Sequence, residues 1–208
     1  MSSLSKHPRV AIEGERLVQI ETADSQAAWI ESFYLRRRFR VRACGFKAKL
    51  KDVRDREEFR GLLEKNDVKV IHMQRQDLLR RAISTINARQ LQKKYGVWNR
   101  TKGMPGLESF SVDFDELDTV LEFVEESAAE LGVFVNSLDL KIMVVQYENL
   151  LANPESELGR IQDFIDVDAR LLQADTEKST PDRLDVAINN YEELVRRYKG
   201  SKYEQFLD

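Results

Sequence analysis

Apolar residues along this chain recur at two different spacings. Residues 68–73 (VKVIHM) and 140–147 (LKIMVVQY) are short apolar runs rich in branched side chains, the pattern of strands buried on both faces. Residues 41–50 (VRACGFKAKL) read as a further strand, with Lys47 and Lys49 on one face and Phe46 and Ala48 on the other. A brief extended piece at residues 10–12 runs into Glu13, Gly14 and Glu15. Elsewhere the spacing is helical. Ala27, Ile30 and Tyr34 share a face in a helix predicted over 23–39, and residues 54–65 form a polar helical stretch. Leu78, Leu79, Ala82, Ile83 and Ile86 mark a helix that Asp77 can cap and Gly96 can end. Leu117, Val120, Leu121 and Val124 mark a long one from about residue 115, and Pro154 opens another carrying Leu158 and Ile161. Leu184, Ile188, Tyr191, Leu194 and Tyr198 form the continuous stripe of a last helix, ended by Gly200. Residues 1–8 read as the end of a helix, and residues 99–111 and 173–181 as loops. The alternation predicts a single α/β domain over residues 1–208 with a mostly parallel sheet.

The chemistry concentrates in residues 68–84. A buried strand feeding a capped helix through Gln74, Arg75 and Gln76 is half of a βαβ unit, and ligands of such sheets gather at the carboxyl ends of the strands. Arg75 lies at that end. Ser84 lies about two turns into the helix, on one face with Arg80 and Asn87. A guanidinium and a hydroxyl converging there can hold a phosphate, although a surface arginine and a solvated serine would read the same way.

Composition narrows the partners. With 42% hydrophobic and 33% charged residues and a net charge of −3, the 208-residue chain has no overall basic field for nucleic acid. One cysteine, Cys44, and two histidines make a disulfide framework or a zinc site improbable, so no metal is expected. No apolar run reaches the ~18 residues that span a bilayer, and no signal peptide opens the chain, so a cytoplasmic enzyme or binding protein is expected. The run Arg36, Arg37, Arg38, Arg40 and Arg42 reads as a solvated helix end, with anion binding as the minority reading.

Four segments, taken together and in order, resemble the PAPS-dependent sulfotransferases, in particular the bacterial branch that includes the trehalose sulfotransferase type. They are HPRVAIEGE (7–15), CGFKAKL (44–50), the 68–84 stretch, and VVQYENLLANPESELGRIQDFIDV (144–167), and the tail from Asn189 is also similar. The resemblance implies a P-loop-type sulfotransferase fold and transfer of a sulfuryl group from PAPS to a hydroxyl, such as that of a carbohydrate, leaving adenosine 3′,5′-bisphosphate. It implies Glu15 as the base, with Glu13 as fallback, and Lys47 on the bridging oxygen, with Lys49 able to take either role. Arg75, or Gln76 at the family's commoner spacing, and Ser84 would hold the 3′-phosphate. Tyr147 and Lys178 would contact the nucleotide, and Trp98 would line the acceptor pocket.

The family's Pro-Arg-Ser-Gly-Thr phosphate loop is absent from these residues. The expectation is therefore a chain truncated at its N-terminus, without the first strand and that loop. In the family that strand lies between the strands at 68–73 and 140–147. Without it the sheet must close up, take in another segment, or stay loose, because each buried unpaired backbone group costs ~1–3 kcal/mol. Two other readings remain: a non-catalytic nucleotide-binding remnant, or an interaction protein using the basic run from Arg36 to Arg42.

Overall fold

The computed structural model describes residues 3–36, 40–98, 109–172 and 183–207. The first regular elements are β1 (Val10–Glu13), α1 (Ala23–Leu35), β2 (Ala43–Phe46), α2 (Arg56–Lys65) and β3 (Val70–Gln74). There follow α3 (Leu78–Tyr95), α4 (Phe114–Asn136), β4 (Ile142–Gln146), α5 (Tyr147–Ala152), α6 (Pro154–Phe164), α7 (Leu184–Ala187) and α8 (Tyr191–Tyr198). They divide into two compact units, one of Met1–Gln74 with Ala129–Gln173, the other of Arg75–Ala128 with Ala174–Asp208.

The first unit holds the strands, all in parallel pairs. β1 runs beside β2, from Val10 opposite Ala43 to Glu13 opposite Phe46. β2 is shorter than the apolar pattern predicts, because its partner offers only four positions. β3 and β4 pair directly from Val70 opposite Ile142 to Gln74 opposite Gln146. Among the described residues no strand lies between them. Direct pairing joins the facing backbone groups in one ladder, where separation by a strand's width would leave both rows unmet.

Helices cover these strands because their apolar stripes need burial. Ile30 of α1, and Phe59, Leu62 and Leu63 of α2, join Leu17 and Leu138 in one core that also takes in Phe46, Val70 and Ile142. Leu158 and Ile161 of α6 meet Leu4 and Val145 in another, against Ile12, Ile71 and Met143. Thr22 caps α1 by accepting from the Ser25 N–H, and Asp55 caps α2 by accepting from the Glu58 N–H. α1 stops at Leu35, earlier than the pattern predicts, with Arg36 already extended. Near the N-terminus, Leu4–Lys6 is a single 3₁₀ turn. His7, almost fully buried, ties that end down: Nε2 bonds the Asp168 carbonyl at 2.9 Å, and Nδ1 accepts from the Arg9 N–H at 3.1 Å.

The second unit is helical. Leu79, Ala82, Ile83 and Ile86 of α3 and Leu117, Val120, Leu121 and Val124 of α4 bury their stripes together with Leu184, Ile188, Leu194 and Tyr198. Gly96 ends α3 in the left-handed conformation (φ 72°), its N–H closing onto the Gln92 carbonyl. α4 also grips the C-terminal segment by charge. Asp118 accepts from the Tyr198 hydroxyl at 2.6 Å and pairs with Arg197, and Glu125 accepts from the Tyr203 hydroxyl at 2.6 Å and pairs with Lys202. Desolvation works against both carboxylates, yet these partners hold each below its ordinary pKa.

The single last helix predicted over 184–198 is broken in two. The Phe110 N–H donates to the Ala187 carbonyl, and the Asn189 N–H donates back to the Phe110 carbonyl. The Asn190 side chain then accepts from the Val112 N–H and donates to the Val112 carbonyl, both at 2.9 Å. An apolar stripe reports which residues are buried, and it says nothing of a strand-like partner that takes the backbone bonds at its midpoint. Asn190→Ala should lower the unfolding free energy by about 1–3 kcal/mol, since both backbone groups of buried Val112 lose their partner. Asn190→Asp keeps the acceptor but turns a carboxylate oxygen on the Val112 carbonyl, so it should also destabilise, less at acid pH where the protonated carboxyl can donate. Urea denaturation of the three proteins measures both.

Candidate active site

Parallel strands that pair in register end together, so the residues just past each end are brought to one place. β1 ends at Glu13 and β2 at Phe46, and the Lys47 N–H continues the ladder onto the Glu13 carbonyl at 3.0 Å. Two residues past β1, the Glu15 carboxylate meets Lys47 Nζ through one oxygen and Lys49 Nζ through the other, each at 2.5 Å. The side chain of Glu15 is 28% exposed, and those of Lys47 and Lys49 are about half exposed (46% and 47%), so the triad lies at the surface within reach of a ligand. Burial acts to raise the Glu15 carboxyl, but hydrogen bonds and charge from the two lysines outweigh it, and the group titrates below its ordinary value.

The position of Lys47 is fixed from behind. Phe46, its neighbour on β2, sits in an aromatic cluster with Trp29, Phe33 and Tyr34, with ring centroids 5.1–6.2 Å away. Glu15 and Lys47, predicted to act together, are brought together. Lys49, which the sequence left able to take either role, joins the same carboxylate. Glu13 is half-buried at the end of β1.

In the second unit, Asp77 caps α3 by accepting from the Arg80 N–H at 2.7 Å, and its other oxygen pairs with Arg80 Nε at 2.9 Å. Arg80 is thereby engaged locally. Arg81 is a cation that shares the surroundings of Arg75. Burial lowers the Arg81 pKa first, and repulsion from the Arg75 charge lowers it further. Arg75 and Ser84 are both half-buried. Helical spacing from Ser84 points to Arg80, one turn before it, and nothing in the sequence distinguishes its neighbour.

At the carboxyl ends of β3 and β4 two glutamines face each other. Gln146 Nε2 donates to Gln74 Oε1 at 2.9 Å, while Gln146 Oε1 is buried without a hydrogen-bond partner among the described residues. Sequence reasoning passed over both, because an amide at a strand end has no signature of its own. Tyr147 comes next, as the first residue of α5, and is half-buried. Trp98 is largely exposed, at the edge of the described residues, and Lys178 lies outside them. Among the described residues there is no group of three or more His, Cys, Asp or Glu side chains that could hold a metal, and no helix is long and apolar enough to cross a membrane.

A family model for the Stf0 sulphotransferases matches residues 49–201, most of the chain. The chain belongs to the Stf0 sulphotransferase family. The fold of this Stf0 member is also similar to that of a solved sulfotransferase from Alicyclobacillus acidocaldarius, at a TM-score of 0.50 and 15% identity, over 99% of this chain and 88% of the other. No curated protein sequence matches the chain. Lys49, Arg75, Ser84 and Tyr147 fall inside the part matched to the Stf0 family, whereas Glu15 and Lys47 precede it. Those two are marked by their own geometry.

That geometry has a pH consequence. The folded-state pKa of Glu15 is depressed, so its contribution to stability is present above the ordinary glutamate pKa and is lost as the pH falls through the folded value. Removing both ammonium groups in Lys47→Met/Lys49→Met leaves burial alone, and the Glu15 midpoint should then rise to the ordinary value or above. Side-chain ¹³C NMR across the acid range, with Glu15→Gln to assign the resonance, tests this.

Proposed function

We propose that this chain transfers a sulfuryl group from PAPS to a hydroxyl of a small acceptor, a carbohydrate by resemblance, with Glu15 as base and Lys47 as the electrostatic partner of the leaving nucleotide. The observation that carries the proposal is the triad itself: one carboxylate and two ammonium groups gathered past the ends of two paired parallel strands, in a chain of the Stf0 family.

Sulfuryl transfer resembles phosphoryl transfer in placing diffuse charge on oxygens, and catalysis is largely positioning and electrostatics. The acceptor oxygen attacks sulfur. An S–O bond forms to the acceptor as the S–O bond to the 5′-phosphate breaks, and adenosine 3′,5′-bisphosphate leaves. Lys47 would donate to the bridging oxygen on which charge develops. The acceptor proton passes to Glu15. In the ligand-free triad Glu15 is a weakened base, since two cations hold its charge. A donor whose sulfuryl and phosphate oxygens recruit Lys47 loosens that hold, so Glu15 gains basicity when there is a sulfuryl group to transfer.

The nucleotide end would be held by Arg75 and Ser84, with Arg81 as a second cation, and Tyr147 and Lys178 would contact the nucleotide. Repulsion between Arg75 and Arg81 supports an anion there, because a phosphate relieves it. Trp98 would line the acceptor pocket.

Three measurements test the reading. The chain should be retained on immobilised adenosine 3′,5′-bisphosphate and, with the phosphate loop that these residues lack supplied ahead of them, should transfer ³⁵S from labelled PAPS to a hydroxyl acceptor. Retention without transfer would favour the nucleotide-binding remnant, and no retention would sink the nucleotide reading. Arg75→Ala should weaken bisphosphate binding by about 2–3 kcal/mol, the scale of a charge-assisted contact. Arg81→Ala should weaken it more than Arg80→Ala, and calorimetry with the bisphosphate decides the order. Glu15→Gln should cut turnover about 10²-fold or more while bisphosphate binding survives. If Glu13→Gln does this instead, the base is Glu13.

A further inference from the structure

Gln26 lies in the first turn of α1, only 4% exposed, where packing alone would favour an apolar side chain. Its amide is fully engaged, and its partners are backbone groups of two other segments. Nε2 donates to the Leu17 carbonyl at 2.9 Å and the Asp52 carbonyl at 2.7 Å, with a longer contact to Ile20 at 3.4 Å. Oε1 accepts from the Arg54 N–H at 3.0 Å.

Those segments are the ones that carry the triad. Leu17 opens a 3₁₀ turn (Leu17–Gln19) two residues after Glu15, and the chain between them is folded tightly, the Arg16 N–H closing onto the Gly14 carbonyl at 2.9 Å. Asp52 ends a 3₁₀ turn (Leu50–Asp52) just after Lys49, and its N–H donates to the Lys49 carbonyl at 2.9 Å. One buried amide therefore joins the loop of the carboxylate to the loop of the lysines through short, bonded stretches of backbone.

Each triad side chain can swing on its own torsions, so surface charge alone does not set where Glu15 and Lys49 meet. The separation of their backbones does, and within the core that separation is spanned by Gln26. An apolar replacement would leave the Asp52 carbonyl and the Arg54 N–H unmet and the Leu17 carbonyl with the Ile20 N–H alone, and the loops would move apart to hydrate them.

We propose that Gln26 is a positioning residue for the triad: it fixes, from within the core, the distance between the loop of Glu15 and the loop of Lys47 and Lys49. The structural part stands on the hydrogen bonds above. Its consequence for turnover rests on the reading of Glu15 and Lys47 as catalytic.

The test tracks the Glu15 ¹³C titration in the wild-type chain and in Gln26→Met, each with and without Lys47→Met/Lys49→Met. The groups facing the carboxylate are Lys47 and Lys49, so drawing the loops apart should raise the Glu15 midpoint by roughly half a pH unit or more when both lysines are present. With the lysines removed, Gln26→Met should produce no such rise. A merely structural role predicts a lower melting temperature and an unmoved midpoint, or the same shift in both backgrounds, and either result overturns the proposal. Gln26→Glu guards against a variant that does not fold. As a buried, protonated acid it still accepts from the Arg54 N–H and donates to one carbonyl, so it should give a smaller rise than Met. No rise from Glu when Met cannot be measured also overturns the proposal.

Turnover separates the two readings. If the wild type transfers sulfate, Gln26→Met should lower kcat about tenfold or more, the scale on which small misplacements act, and Gln26→Glu should recover part of it. A midpoint shift in a chain that transfers no sulfate would leave the positioning role standing and remove the catalytic one. An unshifted midpoint in an active enzyme would do the reverse.

Discussion

A carboxylate held between two ammonium groups is the constraint on which the rest of this reading depends. The arrangement needs β1 and β2 to run parallel and end together, which needs α1 and α2 packed behind them. It also needs Phe46 locked among aromatic rings, so that the next residue leaves the strand at a fixed angle. The exposed charges contribute little stability by themselves, since ion pairs at the surface are worth little. In the proposed function their importance is that opposed charges would suppress each other's chemistry until a third, anionic group arrives.

Much of this was legible in the sequence, and the reasons differ by element. The strands announced themselves by near-continuous apolar runs, and Asp77, Gly96 and Pro154 marked helix boundaries by chemistry that depends only on near neighbours. Glu15 and Lys47 stand out in motifs whose order resembles a family's, and the side shared by Lys47 and Lys49 agrees with both reaching one carboxylate. What stayed hidden was whatever depends on a distant partner. The break between α7 and α8 comes from Phe110 and Val112, some eighty residues earlier in the chain. The local engagement of Arg80 depends on Asp77, which caps the helix and pairs with it at once. The direct pairing of β3 with β4 is a property of the ladder between two segments, and neither segment's pattern encodes which strand lies next to it.

Gln26 shows the same limit from the other side. A glutamine in the first turn of a helix carries no signal, because most are solvated and helix-compatible. Its meaning arises only when two turns from elsewhere in the chain present their backbone groups to it. Pattern reading detects residues that bury apolar area or carry charge. It is nearly blind to a neutral amide whose role is to satisfy backbone, although such groups are costly to replace once buried.

The grip of α4 on the C-terminal segment bears on how this protein can be cut. Asp118 and Glu125 stand two turns apart on one helix, and each takes a tyrosine hydroxyl and a cation from residues 197–203. A fragment ending before Arg197 would strip both carboxylates of these partners and uncover the apolar stripe beside them, exchanging a neutral seam for an acidic, greasy ridge. The last dozen residues therefore act as a fitted cover for α4, and any shortened version for crystallisation or fusion should keep them.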